Sequence, residues 1–557
     1  MPVKFNRGAR SLKFNFWPQK LNFNGLALPL AVITGAALRL YQIELQIIAD
    51  DEWHALHAVL TRGYLSIASH FGGADYSIPM ALLYELGFDL YGLSEMIMRA
   101  PVLLFGLVSL LVFPLMVRQQ VGRSAANALA WLLAVSPMHI YYSRYARPYA
   151  IMLFFVFVGA LAFYRWWAGG DRKWRFVYLA CALLAPYFHL SAIFISVAPL
   201  LFALIETGWL KRHSSRDLKE VLQLGLMLGA GLGLLLGIPL IFDFRSIAGK
   251  AAENIISPQA FIPAAHLLGG SRELWLIFLL GTGTLAGGVL LAKQQSRFFL
   301  YLAVLVGVHF AALVLSGPAL IFFPIVFARY LLPALPFLML LLAGTLGHGE
   351  HWLRERIGLY PQGLITMVLA VCLLFFGPLA QTYYSPNNWT NHALFQYYYD
   401  FSNKDYSYSH ILKPDKVSEF YHELGRFPRN SLTLVEAPWY FEWHNIHYPY
   451  LQHVHGQRMM IGFVEDPSRW SRPGELPVHI EGMNFRNFVH VADTARLAQS
   501  GARFVIFHKN LKDEIPNDAP RPALDVSPWI SHYRKLYGEP LFEDSDIVVF
   551  DISGSLN

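Results

Sequence analysis

Four stretches of this chain are too long and too apolar to serve as elements of a water-soluble core. They run from Gly25 to Ile43, Pro101 to Val117, Val221 to Phe242 and Tyr330 to Leu346, and none carries more than one charge. A helix needs about 20 apolar residues to cross the hydrocarbon core of a bilayer. It also satisfies its own backbone N–H and C=O groups, which lipid cannot do. These stretches therefore read as membrane-spanning helices, and the hydropathy of the rest extends the reading to about eleven spans. They lie near 25–43, 97–117, 124–142, 148–167, 174–189, 191–208, 220–242, 273–292, 298–316, 330–347 and 361–380. The share of charged residues agrees: 15% of 557, where soluble domains carry about 25%.

Charge distribution orients the bundle. The first 20 residues hold Lys4, Arg7, Arg10, Lys13 and Lys20 and no acid. The apolar run behind them is too long for the core of a signal peptide, and no small-residue cleavage site follows it. The segment reads as a cytoplasmic basic tail. The cytoplasmic turns then carry Arg118 and Arg123, next Arg165, Arg172, Lys173 and Arg175, then Lys211, Arg212, Arg216 and Lys219. Lys293 with Arg297 and Arg354 with Arg356 complete the Lys/Arg excess expected of cytoplasmic loops. An odd number of spans places the remainder outside; a bacterial inner membrane with this part in the periplasm is the preferred setting.

The expected division is a membrane module over 1–380, with an outer juxtamembrane loop at 44–96, and a soluble extracytoplasmic α/β domain over 381–557. In the latter, strand-like runs at Leu432 to Val435, Phe504 to Phe507 and Ile547 to Phe550 alternate with helix-compatible stretches such as Asp493 to Gln499. The aromatic segment from Asn388-Trp389-Thr390 to Tyr397-Tyr398-Tyr399 reads as an interfacial belt in preference to a saccharide-stacking surface. Cys181 and Cys372 both fall in apolar segments, so no disulfide framework is expected. Gly225, Gly229, Gly233 and Gly237 form a small-residue stripe, read as a surface for close helix packing.

The chemistry concentrates at the expected outer ends of the helices. The loop after the first span reads Ala49-Asp50-Asp51-Glu52-Trp53-His54. Solvated acids in a loop need no special purpose, but these keep company with arginines that run against the positive-inside bias. Arg144 and Arg147 sit in Tyr141-Tyr142-Ser143-Arg144-Tyr145-Ala146-Arg147-Pro148-Tyr149, Arg39 ends the first span, and Arg329 begins the tenth. Ionisable groups at the edge of an apolar region are expensive and mark function by default, and guanidinium grips phosphate oxygens bidentately. Anionic lipid headgroups are one partner for such arginines; a phosphate held during a reaction is the other. Carboxylates beside a phosphate-binding set suit transfer of a sugar from a polyprenyl phosphate. The acceptor hydroxyl needs a general base, and the departing phosphate needs cationic stabilisation. No Gly-rich nucleotide loop precedes a helix and no cytoplasmic part is large enough to hold a nucleotide-sugar, which argues for a lipid-linked donor.

The order Arg39-Leu40-Tyr41, Asp51-Glu52, Tyr142 through Tyr149, and Ala328-Arg329-Tyr330-Leu331-Leu332-Pro333-Ala334-Leu335-Pro336 resembles the GT-C glycosyltransferases. Within them it is most similar to the branch of protein O-mannosyltransferases and the lipid A aminoarabinose transferase. The resemblance covers about residues 20 to 380, and the ending Tyr537-Gly538-Glu539-Pro540-Leu541 through Asp546-Ile547-Val548-Val549-Phe550 is similar to the outer domain of bacterial members. It implies that Asp51 is the base activating the acceptor, with Glu52 the second acid of the pair, and that Arg144, Arg147 and Arg329 hold the lipid phosphate. Tyr142 and Tyr149 are carried as substrate contacts. Arg39 reads either as such a contact or as a snorkelling structural residue. Tyr187-Phe188-His189-Leu190 resembles a family Thr-His-Tyr segment, which makes His189 a candidate contact to substrate or metal. Some relatives carry a divalent ion and others need none; His54 and His57 follow the acids at a spacing that suits either a metal site or a hydrogen-bonding cluster.

The fold class expected is thus an α-helical polytopic membrane protein, GT-C-like, with a C-terminal soluble α/β domain. The function expected is inverting transfer of a sugar from a polyprenyl-phosphate-linked donor to an acceptor hydroxyl on a glycan, lipid or protein. Membrane lipid is a partner and nucleic acid is not; no cofactor is required beyond a divalent metal ion left open. A flippase for lipid-linked sugar would instead show charges at mid-membrane and repeated halves. An oligosaccharide ligase or polymerase with a diphosphate-linked donor differs from the favoured reading only through the family resemblance. A non-catalytic glycan-binding scaffold leaves the acids and arginines without a purpose.

Overall fold

The computed structural model describes residues 26–46, 48, 52, 56, 58–59, 62–71, 77–210, 215–251, 258–271, 273–318, 321–322, 324–357, 363–380, 416–438, 447–464, 484–510 and 525–556. Among the described residues, seven helices are long and apolar enough to cross a membrane: Glu95–Val135, Tyr149–Gly169, Leu190–Trp209, Asp217–Arg245, Leu274–Gln294, Ser296–Ser316 and Pro324–Arg356. Ala27–Leu40 and Leu364–Phe375 are shorter apolar helices. The chain is a multi-pass membrane protein. The count of eleven spans is not reproduced by helices of full spanning length. Glu95–Val135 runs through two of the expected spans and breaks at Gly122, where φ is +82°, a conformation glycine alone adopts freely. The expected span at 174–189 is the 16-residue helix Lys173–Phe188.

Tyr149–Gly169 is the central helix. Of its most apolar window 83% is buried, against 22% for Leu274–Gln294 at the periphery. Its core contacts are aromatic: Phe157 stacks on Phe113 and Phe337, and Phe163 packs edge-on to Tyr178. At the end that carries Arg165, Trp167 Nε1 donates to the buried Glu206 at 2.8 Å, and Arg297 Nη2 pairs with the same carboxylate at 2.7 Å. A buried acid requires such partners, so Arg297 is structural as well as part of the Lys/Arg bias.

The glycine stripe does not pack as expected. A Cβ at Gly229, Gly233 or Gly237 would meet nothing within 4 Å, and one at Gly225 would meet Leu200 at 3.7 Å. The closely packed glycine is Gly231, where a Cβ would fall 2.6 Å from Leu183. The helix buries Val221, Leu224, Leu228 and Leu236. A period of four advances about 40° around a helix at each repeat, so the stripe begins beside that buried line and winds off it.

The C-terminal part is a six-stranded sheet in the order β3-β2-β1-β4-β6-β5. β1 (Thr433–Ala437), β2 (Arg458–Phe463), β3 (Phe488–His490) and β4 (Phe504–His508) are parallel, and β5 (Phe542–Glu543) and β6 (Ile547–Asp551) add an antiparallel edge. The central strands are mostly apolar on both faces, as suits a parallel sheet covered on two sides, with Glu436 of β1 buried and bonded to the Tyr421 hydroxyl and His508 of β4. Leu434 and Ile506 pack with Phe420, Tyr421 and Tyr448 on one face, while Val435, Val505 and Phe507 pack with Leu497 and Tyr533 on the other. The expected strands at 432–435, 504–507 and 547–550 are β1, β4 and β6, and Asp493 caps the helix Thr494–Gln499.

Candidate active site

The segment Tyr141 to Tyr149 is an elbow between two helices. Ser136 accepts the N–H of His139, and Pro137 sits at the first helical position, so the helix Pro137–Arg144 has a defined start. Pro148 disfavours helical backbone at Arg147; the chain turns there and restarts as Tyr149–Gly169. Arg144 is thereby the last residue of one helix and Arg147 lies in the turn. The turn is held from both sides at Ala146. Its N–H donates to Glu52 Oε1 at 2.8 Å, and its carbonyl accepts from the Tyr84 hydroxyl at 3.3 Å.

Glu52 is 1% exposed and forms a two-point ion pair with Arg99, itself fully buried: Nε to Oε1 at 3.1 Å and Nη2 to Oε2 at 3.0 Å. Arg99 Nη1 also donates to the Gln46 carbonyl. With the Ala146 N–H added, both oxygens of Glu52 are taken. This is a brace between the acidic loop, the start of Glu95–Val135 and the elbow.

The arginines divide by surroundings. Arg39 is buried and gives its donors to the carbonyls of Gly35, Leu133 and Ala134 and to Ser143 Oγ at 3.2 Å, which is the structural alternative. Gly106 admits this packing, since a Cβ there would overlap the Ser143 side chain. Arg144 donates to Gln46 Oε1 at 3.3 Å and to the Leu38 carbonyl at 3.2 Å. Arg329 instead stands at a ring cluster, and Arg147 lies in the elbow two residues before Tyr149 of that cluster. Tyr149 lies 4.6 Å from Tyr142 and 4.9 Å from His189 between centroids. The Arg329 guanidinium stands 6.0 Å over the Tyr149 ring, and both Arg147 and Arg329 lie within electrostatic reach of His189. His189 Nδ1 is 2.8 Å from Ser191 Oγ, and His309 Nε2 donates to the Tyr330 carbonyl at 2.9 Å, next to Arg329. Residues from four separate parts of the chain meet here: two cations beside three rings, suited to an anion with an attached ring.

Asp50, Asp51, His54 and His57 lie outside the described residues. Among the described residues no group of three or more His, Cys, Asp or Glu side chains gathers, and the one described acid of the motif, Glu52, has no free oxygen for a metal. Sequence reasoning missed Arg99 and Gln46. Arg99 carried a signal, a charge two residues before an apolar run that begins at Pro101; Gln46 carried none.

Residues 76–233, which hold the elbow and most of the ring cluster, match the family model described as dolichyl-phosphate-mannose-protein mannosyltransferase. That match covers less than a third of the chain and makes this part of it similar to the protein mannosyltransferase family. Among solved structures, the chain is similar to ArnT from Cupriavidus metallidurans in the apo state, at 14% identity and a TM-score of 0.44, over 95% of this chain and 98% of that one. ArnT bound to undecaprenyl phosphate matches at 13% identity, a TM-score of 0.44 and the same coverage. The Archaeoglobus fulgidus oligosaccharyltransferase in complex with Zn and sulfate matches at 14% identity and a TM-score of 0.42, over 86% of this chain and 68% of that one. Likenesses this distant carry no argument about chemistry. No curated protein matches the chain.

Proposed function

We propose that this membrane glycosyltransferase moves one sugar from a polyprenyl phosphate to an acceptor hydroxyl, with inversion, at the outer face of the membrane. The observation that carries the reading is the convergence of Arg147 and Arg329 on the Tyr142, Tyr149 and His189 rings, within a chain whose residues 76–233 match a family named for a dolichyl-phosphate-linked donor. Asp51 takes the acceptor proton as the oxygen attacks the anomeric carbon. The bond from that carbon to the phosphate oxygen breaks, and polyprenyl phosphate leaves as an anion. Arg147 and Arg329 neutralise it, and such electrostatic stabilisation needs no proton. Arg144, committed to Gln46 and Leu38, lends its charge while fixing the elbow. Glu52 acts through its brace to Arg99 and the elbow. In this reading the sheet domain and the site lie on the same, extracytoplasmic side.

The test is transfer of radiolabelled sugar from polyprenyl phosphate to membrane-extract acceptors by the purified protein, with Asp51→Asn alongside. Removing a general base costs roughly 100- to 10,000-fold, so the variant should fold and lose transfer. Full activity in Asp51→Asn would remove the base assignment, and no reaction of the wild type with any such donor would remove the enzyme reading.

A further inference from the structure

Where the sheet domain meets the membrane module, one buried carboxylate is shared. Glu95 begins the helix Glu95–Val135 and is 3% exposed. It accepts the backbone N–H of Arg486 at 2.9 Å, that of Asn487 at 3.0 Å, and Asn487 Nδ2 at 3.3 Å. Asn487 is 1% exposed, its Nδ2 also reaches the Glu44 carbonyl at 3.1 Å, and its own carbonyl accepts from Ile461 of β2 at 2.8 Å. The neighbouring Arg486–Glu44 ion pair is more than half exposed on both sides and contributes little. The specific tie is therefore Asn487, rooted in the sheet and bonded to two acids of the membrane module.

Both attachments lead directly to the elbow. Arg99 stands one helical turn beyond Glu95, on the same face, and holds Glu52. Gln46 stands two residues beyond Glu44; its carbonyl accepts from Arg99 and its side chain exchanges hydrogen bonds with Arg144. Nothing flexible intervenes, because each link is a buried side chain or a few residues of backbone.

We propose that Asn487 is a positioning residue for the candidate active site. By fixing Glu95 and Glu44 together, it sets Arg99 against Glu52 and Gln46 against Arg144, and so the sheet domain holds the elbow in its working geometry. The functional meaning of this inference rests on the transferase reading. Loss of the Nδ2 donor leaves Glu95 under-satisfied in a buried site, where a missing partner is felt strongly.

The experiment uses the full chain in detergent, with amide hydrogen exchange over 44–52 and 144–147, donor KM and kcat, and binding of polyprenyl phosphate. In Asn487→Ala, exchange in both segments should quicken roughly tenfold, the effect of about 1.4 kcal/mol. Donor KM should rise by a similar factor with kcat less affected. Asn484→Ala, which removes only the side-chain contact to the Tyr91 carbonyl at the same junction, should change neither. If Asn487→Ala does not fold, Glu95→Gln keeps the shape and should give the same direction with a smaller change. Wild-type exchange at both segments in a folded Asn487→Ala or Glu95→Gln would overturn the proposal. Altered exchange in a protein that binds no polyprenyl phosphate would support the positioning role and sink the transferase reading instead.

Discussion

The decisive residues are charged groups that would be costly unless something held them. Glu52 and Arg99 illustrate the cost: breaking a buried pair by removing one partner typically loses about 3–5 kcal/mol. Arg99→Met should therefore lower the melting temperature and abolish transfer together, whereas Arg99→Lys should retain part of the stability but lose the two-point geometry; thermal denaturation in detergent with a parallel transfer assay checks both. Glu85 is a different case. It lies on the helix Ile78–Tyr91, outside the spans, its Oε2 has no hydrogen-bond partner among the described residues, and burial, aided by Asp89, raises its pKa from 4.5 to about 7. The folded state favours its neutral form, so its contribution to stability is greatest below about pH 4.5 and declines as pH rises to about 7. Glu85→Gln should raise the melting temperature at pH 8 and change it little at pH 4.5, and an equal shift at both would contradict this. Arg144, Arg147 and Arg329 stand out in the sequence because a cation at the outer edge of an apolar span is conspicuous, and their hold on a phosphate remains part of the proposal. Arg39 was visible for the same reason, yet only the carbonyls around it separate a structural role from a binding one. Gln46 was not legible, since an uncharged amide acquires meaning only through Arg144 and Arg99, which are distant in sequence.

At the scale of elements, the elbow depends on close helix approach. A Cβ at Gly106 would overlap Ser143, the side chain that accepts from Arg39. Overpacking of this kind costs about 1–3 kcal/mol, and here it falls on the helix that ends in Arg144. Gly106→Ala should lower stability by about that much and weaken polyprenyl phosphate binding, whereas Gly233→Ala, where a Cβ meets nothing within 4 Å, should do neither. The contrast shows why glycines were misread from sequence. A regular spacing of four is easy to see along the chain, but whether it faces a neighbour depends on where the buried line of the helix runs. Spans were located well, because apolarity over about 20 residues is a strong signal, and the break expected between 117 and 124 falls at Gly122; the start of the tenth was not, because the chain is already helical from Pro324 ahead of the tight turn at Pro333. Two strands of the parallel sheet escaped notice too: the interior β2 reads Arg-Met-Met-Ile-Gly-Phe, and the edge strand β3 is three residues long.

At the scale of the whole molecule, the sheet domain meets the membrane module at Asn487 and Glu95, one helical turn from the Arg99–Glu52 pair that holds the elbow. That arrangement requires the sheet domain and the elbow to share one side of the membrane. Lys535 and Arg172 are both exposed and lie on opposite sides in this reading. A cysteine at 535 should react with an impermeant maleimide in intact cells and one at 172 only after permeabilisation; the reverse pattern would invert the topology. The multi-pass architecture was readable in outline from hydropathy, while the contacts of Asn487 with Glu95 and Glu44 were not, because no local pattern announces a bond between residues so far apart. The central claim is that the donor's phosphate sits between Arg147 and Arg329. Its most direct test is the affinity of purified wild-type protein, Arg147→Ala and Arg329→Ala for polyprenyl phosphate at fixed salt. Charge-assisted hydrogen bonds contribute about 1.5–3 kcal/mol each, so each variant should bind roughly 10- to 150-fold more weakly while its melting temperature without lipid stays near that of the wild type. Unchanged affinity in both folded variants would contradict the account.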